Sequence, residues 1–325
     1  MKKILFRSDA APHIGIGDLM SFINLSFYFK DWETFFIIKD YDAALGLVQK
    51  YNIKNIFIID HKISIEDEIQ YINKFILKND IFSIFLQINE KKISIYNNID
   101  IAFRACAYFE SDLPNHYDLV LSWNYNSKDY FDLNRYNKTK FFLGTEYVIL
   151  PMSFDFSKIE KRDFKKKKEK LLISLGGADE KNMTFDVIKQ LKNISCDLDI
   201  VVILGSGYQF EKELSVYLEK SSLSYEIKKS VDNMYIEYMD CDIAIGAGGL
   251  TVSEIVATKT PALIISTYEH QVERCDYFDN KGWIRHLGYM NSTFTKADLD
   301  YFPKTKNMFN SKILDVIEYF NKVYK

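Results

Sequence analysis

The sequence predicts an α/β protein with two Rossmann-like domains, each built on a parallel β-sheet. The chain has 325 residues, which is enough for two hydrophobic cores. Short apolar segments alternate with stretches of helical periodicity along most of the chain. The order of strand, glycine-containing turn and helix also begins twice, near residue 3 and near residue 171. These observations favour two halves of similar architecture.

The first half opens with a short apolar strand, a loop and a helix. The strand covers residues 3–7, the loop covers residues 8–17, and an apolar helical pattern begins near Asp18. This order is typical of the start of a doubly wound domain. Further strands are predicted at residues 34–38, 56–59, 81–86 and 119–121, with a helix at 65–77. Because strands alternate with helices, we expect a parallel sheet covered on both faces.

A charged stretch separates the two halves. It follows Pro151 and includes four consecutive lysines at residues 165–168. We predict an N-terminal domain over residues 1–155, a linker over residues 156–170 and a C-terminal domain over residues 171–325. The lysine run is interpreted as a solvated linker or helix face in preference to a phosphate-binding segment.

The second half repeats the same organisation. Strands are predicted at residues 171–175, 199–204, 242–245 and 262–265, and helices begin near residues 182 and 251. Glycine-rich turns follow the first three of these strands. Two Rossmann-like domains that face each other across a cleft form the GT-B architecture, which is the fold class that we predict.

Composition excludes several classes of partner. The formal net charge of −3 gives no basic field for nucleic acid or an anionic membrane. No apolar run approaches the length of a membrane span, and the N-terminus lacks a signal peptide, so a cytoplasmic protein is expected. The four cysteines have no metal-binding or disulfide spacing, and no metal or cofactor is predicted. The oligomeric state stays open.

The turn from Gly246 to Gly249, with the helix that follows it, is the strongest candidate for a binding site. Glycines between a strand and a helix let backbone N–H groups approach a diphosphate, with the positive end of the helix dipole behind them. Glu254, one turn into the helix, can accept hydrogen bonds from ribose hydroxyls. The alternative is a turn that serves only helix–strand packing.

Two other loops have a similar form. Gly176-Gly177 follows a predicted strand, and Asp179 lies where its carboxylate can cap the next helix, which is the favoured role for an aspartate there. The loop that contains Gly15 and Gly17 follows the first strand of the chain. Loops at the carboxyl ends of parallel strands form the binding crevice of such domains.

The ordered motifs resemble those of a known family, the UDP-sugar hydrolases of pseudaminic acid biosynthesis. These enzymes are the UDP-2,4-diacetamido-2,4,6-trideoxy-β-L-altropyranose hydrolases, which are grouped with a set of spore-coat polysaccharide proteins. The matching segments are Arg7-Ser8-Asp9, Ile14-Gly15-Ile16-Gly17, residues 144–150, Gly176-Gly177-Ala178-Asp179 with Asn182, Ala244-Ile245-Gly246-Ala247-Gly248-Gly249 with Glu254, and Gln271. More distantly the chain resembles the N-acetylglucosaminyltransferase of peptidoglycan precursor synthesis, in particular at Leu250-Thr251-Val252-Ser253-Glu254-Ile255.

The resemblance implies a GT-B fold, a UDP-sugar substrate and cleavage of the anomeric C1–O bond without a metal. It implies that the C-terminal domain holds most of the uridine. The residues expected to bind substrate are Asp9, Gly15, Gly17, Tyr147, Gly176, Gly177, Asp179, Asn182, Gly246, Ala247, Gly248, Gly249, Leu250, Thr251, Glu254, His270 and Gln271.

The sequence departs from the family at two positions. The hydrolases carry a catalytic histidine and, three residues later, an arginine, where this chain has Asp18 and Ser21. Aspartate is the weaker base, and a helix N-terminus weakens it further, although burial or a nearby carboxylate would strengthen it. Asp18 is therefore either the catalytic base or a helix cap. His13 in the same loop is the second candidate base.

The sequence thus predicts a UDP-sugar hydrolase of nonulosonic acid or related surface-glycan biosynthesis, such as the glycosylation of flagellin. A glycosyltransferase of the same fold is the first alternative, because the two altered positions are those that define the hydrolase. A non-catalytic nucleotide-sugar-binding protein is the second. No role is assigned to Asp60-His61, which resembles a pair in the hydrolases.

Overall fold

The chain forms two compact units in a computed structural model: Met1–Met152 with Ser311–Lys325, and Ser153–Asn310. The structure describes residues 2–11, 14–87, 93–107, 117–160, 162–163, 167–205, 207–290, 292–305 and 311–324. Each unit contains a parallel sheet with its own hydrophobic core. The predicted fold class, with two Rossmann-like domains on parallel sheets, is confirmed.

The first unit has a seven-stranded sheet in the order β3-β2-β1-β4-β5-β6-β7. Its strands are β1 (Lys2–Arg7), β2 (Trp32–Lys39), β3 (Ile56–Ile59), β4 (Ser83–Leu86), β5 (Phe103–Ala107), β6 (Leu119–Ser122) and β7 (Lys140–Leu143). The helices between them are α1 (Gly17–Tyr28), α2 (Asp42–Lys50), α3 (Ile65–Asn79) and α4 (Ser127–Tyr130), with 3₁₀ turns at Ile93–Asn98 and Thr145–Tyr147.

The second unit has a six-stranded sheet in the order β10-β9-β8-β11-β12-β13. Its strands are β8 (Lys170–Ser174), β9 (Asp199–Leu204), β10 (Tyr225–Lys229), β11 (Ile243–Ala247), β12 (Ala262–Ser266) and β13 (Arg285–Tyr289). Its helices are α5 (Phe156–Glu160), α6 (Met183–Asn193), α7 (Glu211–Glu219), α8 (Met234–Asp240), α9 (Leu250–Ala257) and α10 (Val272–Asn280), with 3₁₀ turns at Glu269–Gln271 and Lys296–Asp300.

The central strands are buried on both faces. In β1 the side chains of Ile4, Leu5 and Phe6 are all fully buried, and β11 is buried along its whole length. Helices on both faces of a parallel sheet explain why these strands are almost continuously apolar. Among the helices of the described residues, none is long and apolar enough to cross a membrane.

The last helix, α11 (Ile313–Val323), belongs to the first unit, whereas the sequence places residues 311–325 in the second domain. Phe320 packs edge-on against Phe29 and Phe103, at ring distances of 5.1 and 5.0 Å. Asn321 accepts a hydrogen bond from the indole N–H of Trp32 at 2.8 Å. The apolar face of α11 thus completes the core of the first sheet.

Residues predicted as a solvated linker are anchored to the second unit. Arg162 donates to the carbonyl oxygen of Thr258 at 2.9 Å and to the hydroxyl of Thr260 at 2.6 Å. Lys168, the last residue of the lysine run, is buried and donates to the carbonyl oxygens of Leu299 and Tyr301. In the described part of this segment, these two cations therefore satisfy carbonyl groups of the second unit.

Candidate functional site

Both sheets contain the topological feature at which open α/β sheets bind ligands. In each, the first strand lies between the second and the fourth, so the order in which successive strands are added reverses between the first and fourth strands. Ligands bind at the carboxyl ends of the strands at this point. In the second unit, the point lies between β8 and β11, whose residues Ser174 and Gly246 are paired. The ends of these two strands, the loops after them and the start of α9 carry most of the predicted binding residues.

The turn after β11 leads directly into α9. Ala247 ends the strand, Gly249 is the N-cap residue, and no side chain forms a capping hydrogen bond there. Leu250 and Thr251 form the first turn of the helix, and Leu250 is 36% exposed. An uncapped helix start presents backbone N–H groups and a positive dipole, which suits an anionic group.

Two of the three turn glycines are required by packing. A Cβ at Gly246 would lie 2.6 Å from Ile255 Cδ1, and a Cβ at Gly248 would lie 2.7 Å from Cys275 Sγ and 3.0 Å from Gln271 Cβ. At Gly249 the nearest atom would be Gln271 Nε2 at 3.8 Å. Gly246 and Gly248 are therefore also needed for packing between the turn and its neighbours, whatever binds at the turn. A Cβ at Gly249 would make only an ordinary van der Waals contact.

A matched pair of substitutions separates these roles. We expect Gly248→Ala to lower the free energy of unfolding by about 1–3 kcal/mol, because the added methyl group overpacks the contact with Cys275. Gly249→Ala should change stability much less, since its φ of −77° is negative and an added Cβ would come no closer than 3.8 Å to Gln271 Nε2. Urea denaturation measures both; equal losses of stability would contradict this assignment.

Glu254 lies in α9, one turn after the glycine turn, and one of its two carboxylate oxygens is hydrogen-bonded. Its Oε2 accepts a hydrogen bond from the hydroxyl of Tyr238 at 3.3 Å, and Tyr238 is fully buried. Burial raises the pKa of Glu254 from 4.5 to about 7. Its Oε1 has no hydrogen-bond partner in the described part of the chain. The carboxylate can thus accept a further hydrogen bond. Tyr238, which holds its other oxygen, was not predicted from the sequence.

The loop after β8 is shaped by glycines and by a helix cap. Gly176 has a φ of +99°, which favours glycine. Gly177 accepts a backbone hydrogen bond from Gly207 at 3.0 Å, and a Cβ at Gly205 would lie 2.2 Å from its oxygen. The loops after β8 and β9 therefore pack backbone against backbone.

Asp179 caps α6, which is the role predicted for it from the sequence. Its two carboxylate oxygens accept hydrogen bonds from the N–H groups of Met183 and Thr184 at 2.9 and 2.8 Å. The pKa of Asp179 is raised, because the effect of burial is larger than the opposing effect of these hydrogen bonds. Asn182 accepts a hydrogen bond from the hydroxyl of Tyr208 at 2.6 Å. Both predicted binding residues thus have structural partners in the loop.

Gln271 and His270 follow β12 in a 3₁₀ turn. Gln271 is buried, and its Oε1 accepts hydrogen bonds from the N–H and hydroxyl of Thr267 at 2.9 and 3.2 Å. His270 is exposed and stacks on Tyr268 at a ring distance of 5.7 Å. Partial burial lowers its pKa, and the nearby charge of Arg274 adds to the effect. Gln271 therefore fixes the turn, while His270 presents its ring to solvent.

A Ser–His–Asp chain also lies in this unit. His286 Nε2 is 2.9 Å from Ser266 Oγ, and His286 Nδ1 is 2.6 Å from Asp276 Oδ1. The same connectivity activates a serine nucleophile in many hydrolases. Ser266 is completely buried, so its hydroxyl cannot reach a substrate. These hydrogen bonds instead fix the end of β12.

In the first unit, Asp18 lies at the equivalent point between β1 and β4. It is half-buried in the first turn of α1, and its Oδ1 accepts a hydrogen bond from Gln87 Nε2 at 2.7 Å. Gln87 directly follows β4 and is buried. The N-cap residue of α1 is Ile16, which makes no side-chain capping bond. Gln87 thus orients the Asp18 carboxylate, a contact that was not predicted from the sequence.

The loop before Asp18 is partly described. Gly15 has a φ of +86°, and its N–H donates to the carbonyl oxygen of Ala11 at 2.7 Å. Gly17 begins α1 and accepts a hydrogen bond from the hydroxyl of Ser21 at 2.9 Å. Ser21 thus closes the first turn of the helix. His13, the second candidate base, lies outside the described residues.

Asp9 belongs to a buried ionic cluster at the end of β1. Asp9 Oδ1 is 2.7 Å from Arg7 Nη1 and accepts a hydrogen bond from the N–H of Lys39 at 2.8 Å. Arg7 Nε donates to Glu68 Oε1 at 2.7 Å, and the hydroxyl of Tyr96 donates to the same oxygen at 3.0 Å. Burial disfavours the charged guanidinium, but the two carboxylates outweigh this and raise the pKa of Arg7. The cluster fixes the start of the loop that leads to Asp18.

Two further predicted features lie elsewhere on the first unit. Tyr147 stacks edge-on against Phe142 at a ring distance of 5.4 Å and lines an open groove of about 690 Å³ beside α11. Asp40, Asp60 and His61 form an exposed cluster in which His61 Nδ1 lies 2.8 Å from Asp40 Oδ1. The imidazole lowers the pKa of Asp40 through this hydrogen bond. The pairing gives His61 a local partner, but no feature of the cluster indicates a ligand.

Comparison with known proteins gives two partial sequence relatives. The chain is 34% identical over 159 residues to an uncharacterized protein of Methanocaldococcus jannaschii, a match that covers 47% of this chain and 32% of that protein. It is 28% identical over 153 residues to the spore coat polysaccharide biosynthesis protein SpsG of Bacillus subtilis, with 46% and 44% covered. The chain thus matches less than half the length of either relative. No protein-family model matches it.

Solved structures resemble nearly the whole chain. MurG of Acinetobacter baumannii has a TM-score of 0.62 at 12% identity, with 100% of this chain and 91% of that chain covered. MnaA of S. aureus, solved with UDP, has a TM-score of 0.61 at 12% identity, with 99% and 98% covered. The UDP-GlcNAc 2-epimerase of Neisseria meningitidis, bound to UDP-GlcNAc, has a TM-score of 0.56 at 12% identity, with 99% and 91% covered. At these identities the likeness establishes the GT-B fold.

Proposed function

We propose that the protein is a UDP-sugar hydrolase that cleaves the anomeric C1–O bond of a UDP-linked acetamido-deoxy sugar. The observation that carries the proposal is the pairing of an uncapped helix start with Glu254 one turn later, at the ligand-binding point of the second sheet. An uncapped helix start suits a diphosphate, and a carboxylate suits ribose hydroxyls. Structural neighbours solved with UDP or UDP-GlcNAc support this choice of ligand.

In the proposed reaction, Asp18 accepts a proton from water as the water oxygen attacks C1. The C1–O bond breaks, and its electrons pass to the β-phosphate oxygen of the leaving UDP. The backbone N–H groups at the start of α9 stabilise the charge that develops there. Gln87 donates a hydrogen bond to Oδ1 of Asp18 and so orients the carboxylate for this role. The products are UDP and the free sugar, and no metal is required.

The proposed place of this reaction is surface-glycan biosynthesis, with a nonulosonic acid of the pseudaminic type as the favoured end product. The partial relative SpsG, a spore coat polysaccharide biosynthesis protein, supports the assignment. Glycosyl transfer is the second candidate, because the fixed carboxylate of Asp18 could equally deprotonate a sugar hydroxyl.

Release of UDP distinguishes the candidates. The protein is incubated with UDP-linked acetamido sugars, with and without an added sugar acceptor, and UDP is quantified. Hydrolysis predicts UDP release without acceptor, whereas transfer predicts release only when acceptor is present. UDP binding without release under either condition would identify a non-catalytic binding protein and reject the hydrolase.

The raised pKa of Glu254 gives a prediction for nucleoside binding. Because the carboxylate accepts the ribose hydroxyls best when ionised, uridine affinity should fall as the pH drops through about 7. Uridine is the suitable probe, since the terminal phosphate of UDP has its own pKa of about 6. Titration of uridine binding by NMR between pH 5.5 and pH 8.5, about 1.5 units on either side of 7, measures the effect. Glu254→Gln should remove the pH dependence.

The same shift affects the stability of the unliganded protein in a defined direction. The folded chain holds this proton more strongly than the unfolded chain, whose pKa is 4.5. The contribution of Glu254 to stability is therefore greatest below pH 4.5, declines up to about pH 7 and then stays constant. Above pH 7, Glu254→Gln should raise the free energy of unfolding by up to about 3 kcal/mol. A destabilised Glu254→Gln variant at pH 8, about one unit above that pKa, would contradict this.

A further inference from the structure

Arg274, on α10, is a cation beside the glycine turn to which neither the motifs nor the resemblance assigned a role. One guanidinium nitrogen, Nη2, donates to the carbonyl oxygen of Gly248. This bond holds the guanidinium next to Gly249, the N-cap residue of α9. The side chain therefore reaches the turn from the neighbouring helix.

The guanidinium is incompletely satisfied. Arg274 Nε is buried and has no hydrogen-bond partner among the described residues. In the same part of the chain, no carboxylate lies within ion-pair distance of it. Burial lowers its pKa, since no nearby acid offsets the lost hydration. A partly buried cation without an acidic partner is costly to keep unless an anion binds beside it.

The surroundings favour an anion over another protein group. The start of α9 adds the positive end of a helix dipole to the charge of Arg274, and the first turn of α9 contains no acidic residue. His270 faces the same charge, which contributes to the lowering of its pKa. Guanidinium groups bind phosphate oxygens through two parallel hydrogen bonds.

From this geometry we infer that Arg274 binds the diphosphate of the nucleotide, together with the backbone N–H groups that begin α9. The inference rests on the proposed UDP-sugar function and names a binding residue for it. Arg274 neutralises charge on the leaving group, and its contact with Gly248 keeps the guanidinium at the turn. Nucleosides without phosphates do not use this residue.

Isothermal titration of the full chain with UDP, uridine and inorganic pyrophosphate tests the inference. Loss of a charge-assisted contact predicts that R274Q binds UDP about 10- to 100-fold more weakly, while its uridine affinity stays within about twofold of the parent. R274K keeps the positive charge but cannot make two parallel hydrogen bonds, so its loss of affinity for UDP should be smaller. Arg285→Gln is the matched control, because Arg285 lies at the amino end of β13, whereas the glycine turn follows the carboxyl end of β11, and it pairs with Asp298 at 2.8 Å.

The outcomes separate the inference from the proposed function. UDP binding by R274Q at parental affinity would overturn the inference alone, as would an equal loss for UDP and uridine. Failure of the parent protein to bind either UDP or uridine would overturn the proposed function and the inference together. Should R274Q not fold, R274K gives the test through a UDP-specific loss of about three- to tenfold, and no loss would again overturn the inference.

Discussion

Replacement of Asp18 by asparagine is expected to lower the rate of UDP release from a UDP-sugar by about 100-fold or more. Asparagine keeps the shape of the side chain and a hydrogen bond to Gln87, but it cannot accept the proton of the attacking water. General base catalysis typically contributes about 10²- to 10⁴-fold to a rate. Since the nucleotide is assigned to the other unit, the affinity for UDP should stay within about twofold.

Asp42→Asn is the matched control for this substitution. Asp42 also lies in the first turn of a helix, α2, but it is exposed and is not assigned to the site. Loss of a favourable charge at a helix start would lower the free energy of unfolding of both variants alike, by about 0.3–1 kcal/mol. A steady-state rate of the Asp18 variant equal to that of the Asp42 variant would exclude Asp18 as the base.

Glu68→Leu is expected to give the largest loss of stability, about 3–5 kcal/mol. Glu68 is fully buried and binds Arg7 at 2.7 Å, and Arg7 itself is only 1% exposed. Removal of one partner leaves the guanidinium buried with incomplete compensation, which is the costly way to break a buried pair. Glu66→Leu, on the exposed face of the same helix, should stay within about 0.5 kcal/mol of the parent.

A double substitution tests the reason for the loss. If the cost arises from the uncompensated charge of Arg7, Arg7→Met combined with Glu68→Leu should recover part of the stability that Glu68→Leu loses. Chemical denaturation of the four proteins of the cycle measures the coupling energy. Strictly additive losses would show that the pair is not coupled.

The sequence predicts much of this fold because its central strands are buried on both faces and therefore consist of apolar runs. Four of the described strands were not predicted. The edge strands β7, β10 and β13 are partly exposed and carry polar side chains, and the inner strand β5 is short and contains Arg104. The placement of α11 also could not be read locally. An amphipathic helix shows which of its faces is buried but not which sheet covers that face. The contact of Phe320 with Phe29 joins residues that are far apart in the chain.

The candidate site shows the same division between local and distant information. The cap formed by Asp179 was predicted because its partners, Met183 and Thr184, follow within five residues. The partners of Asp18, Glu254 and Arg7 are Gln87, Tyr238 and Glu68, which lie 69, 16 and 61 residues away. Only the order of strands in each sheet brings these groups together. For the same reason, the steric role of Gly248 against Cys275 was not predicted.

Reaction in ¹⁸O-labelled water is the most direct test of the central claim that water attacks the anomeric carbon and UDP leaves. A UDP-linked diacetamido-deoxy sugar is incubated with the protein in labelled water without an acceptor, and the released UDP is analysed by mass spectrometry. The account predicts release of UDP that carries no label, because the bond that breaks is C1–O. Label in the β-phosphate of UDP, or no release of UDP at all, would contradict it.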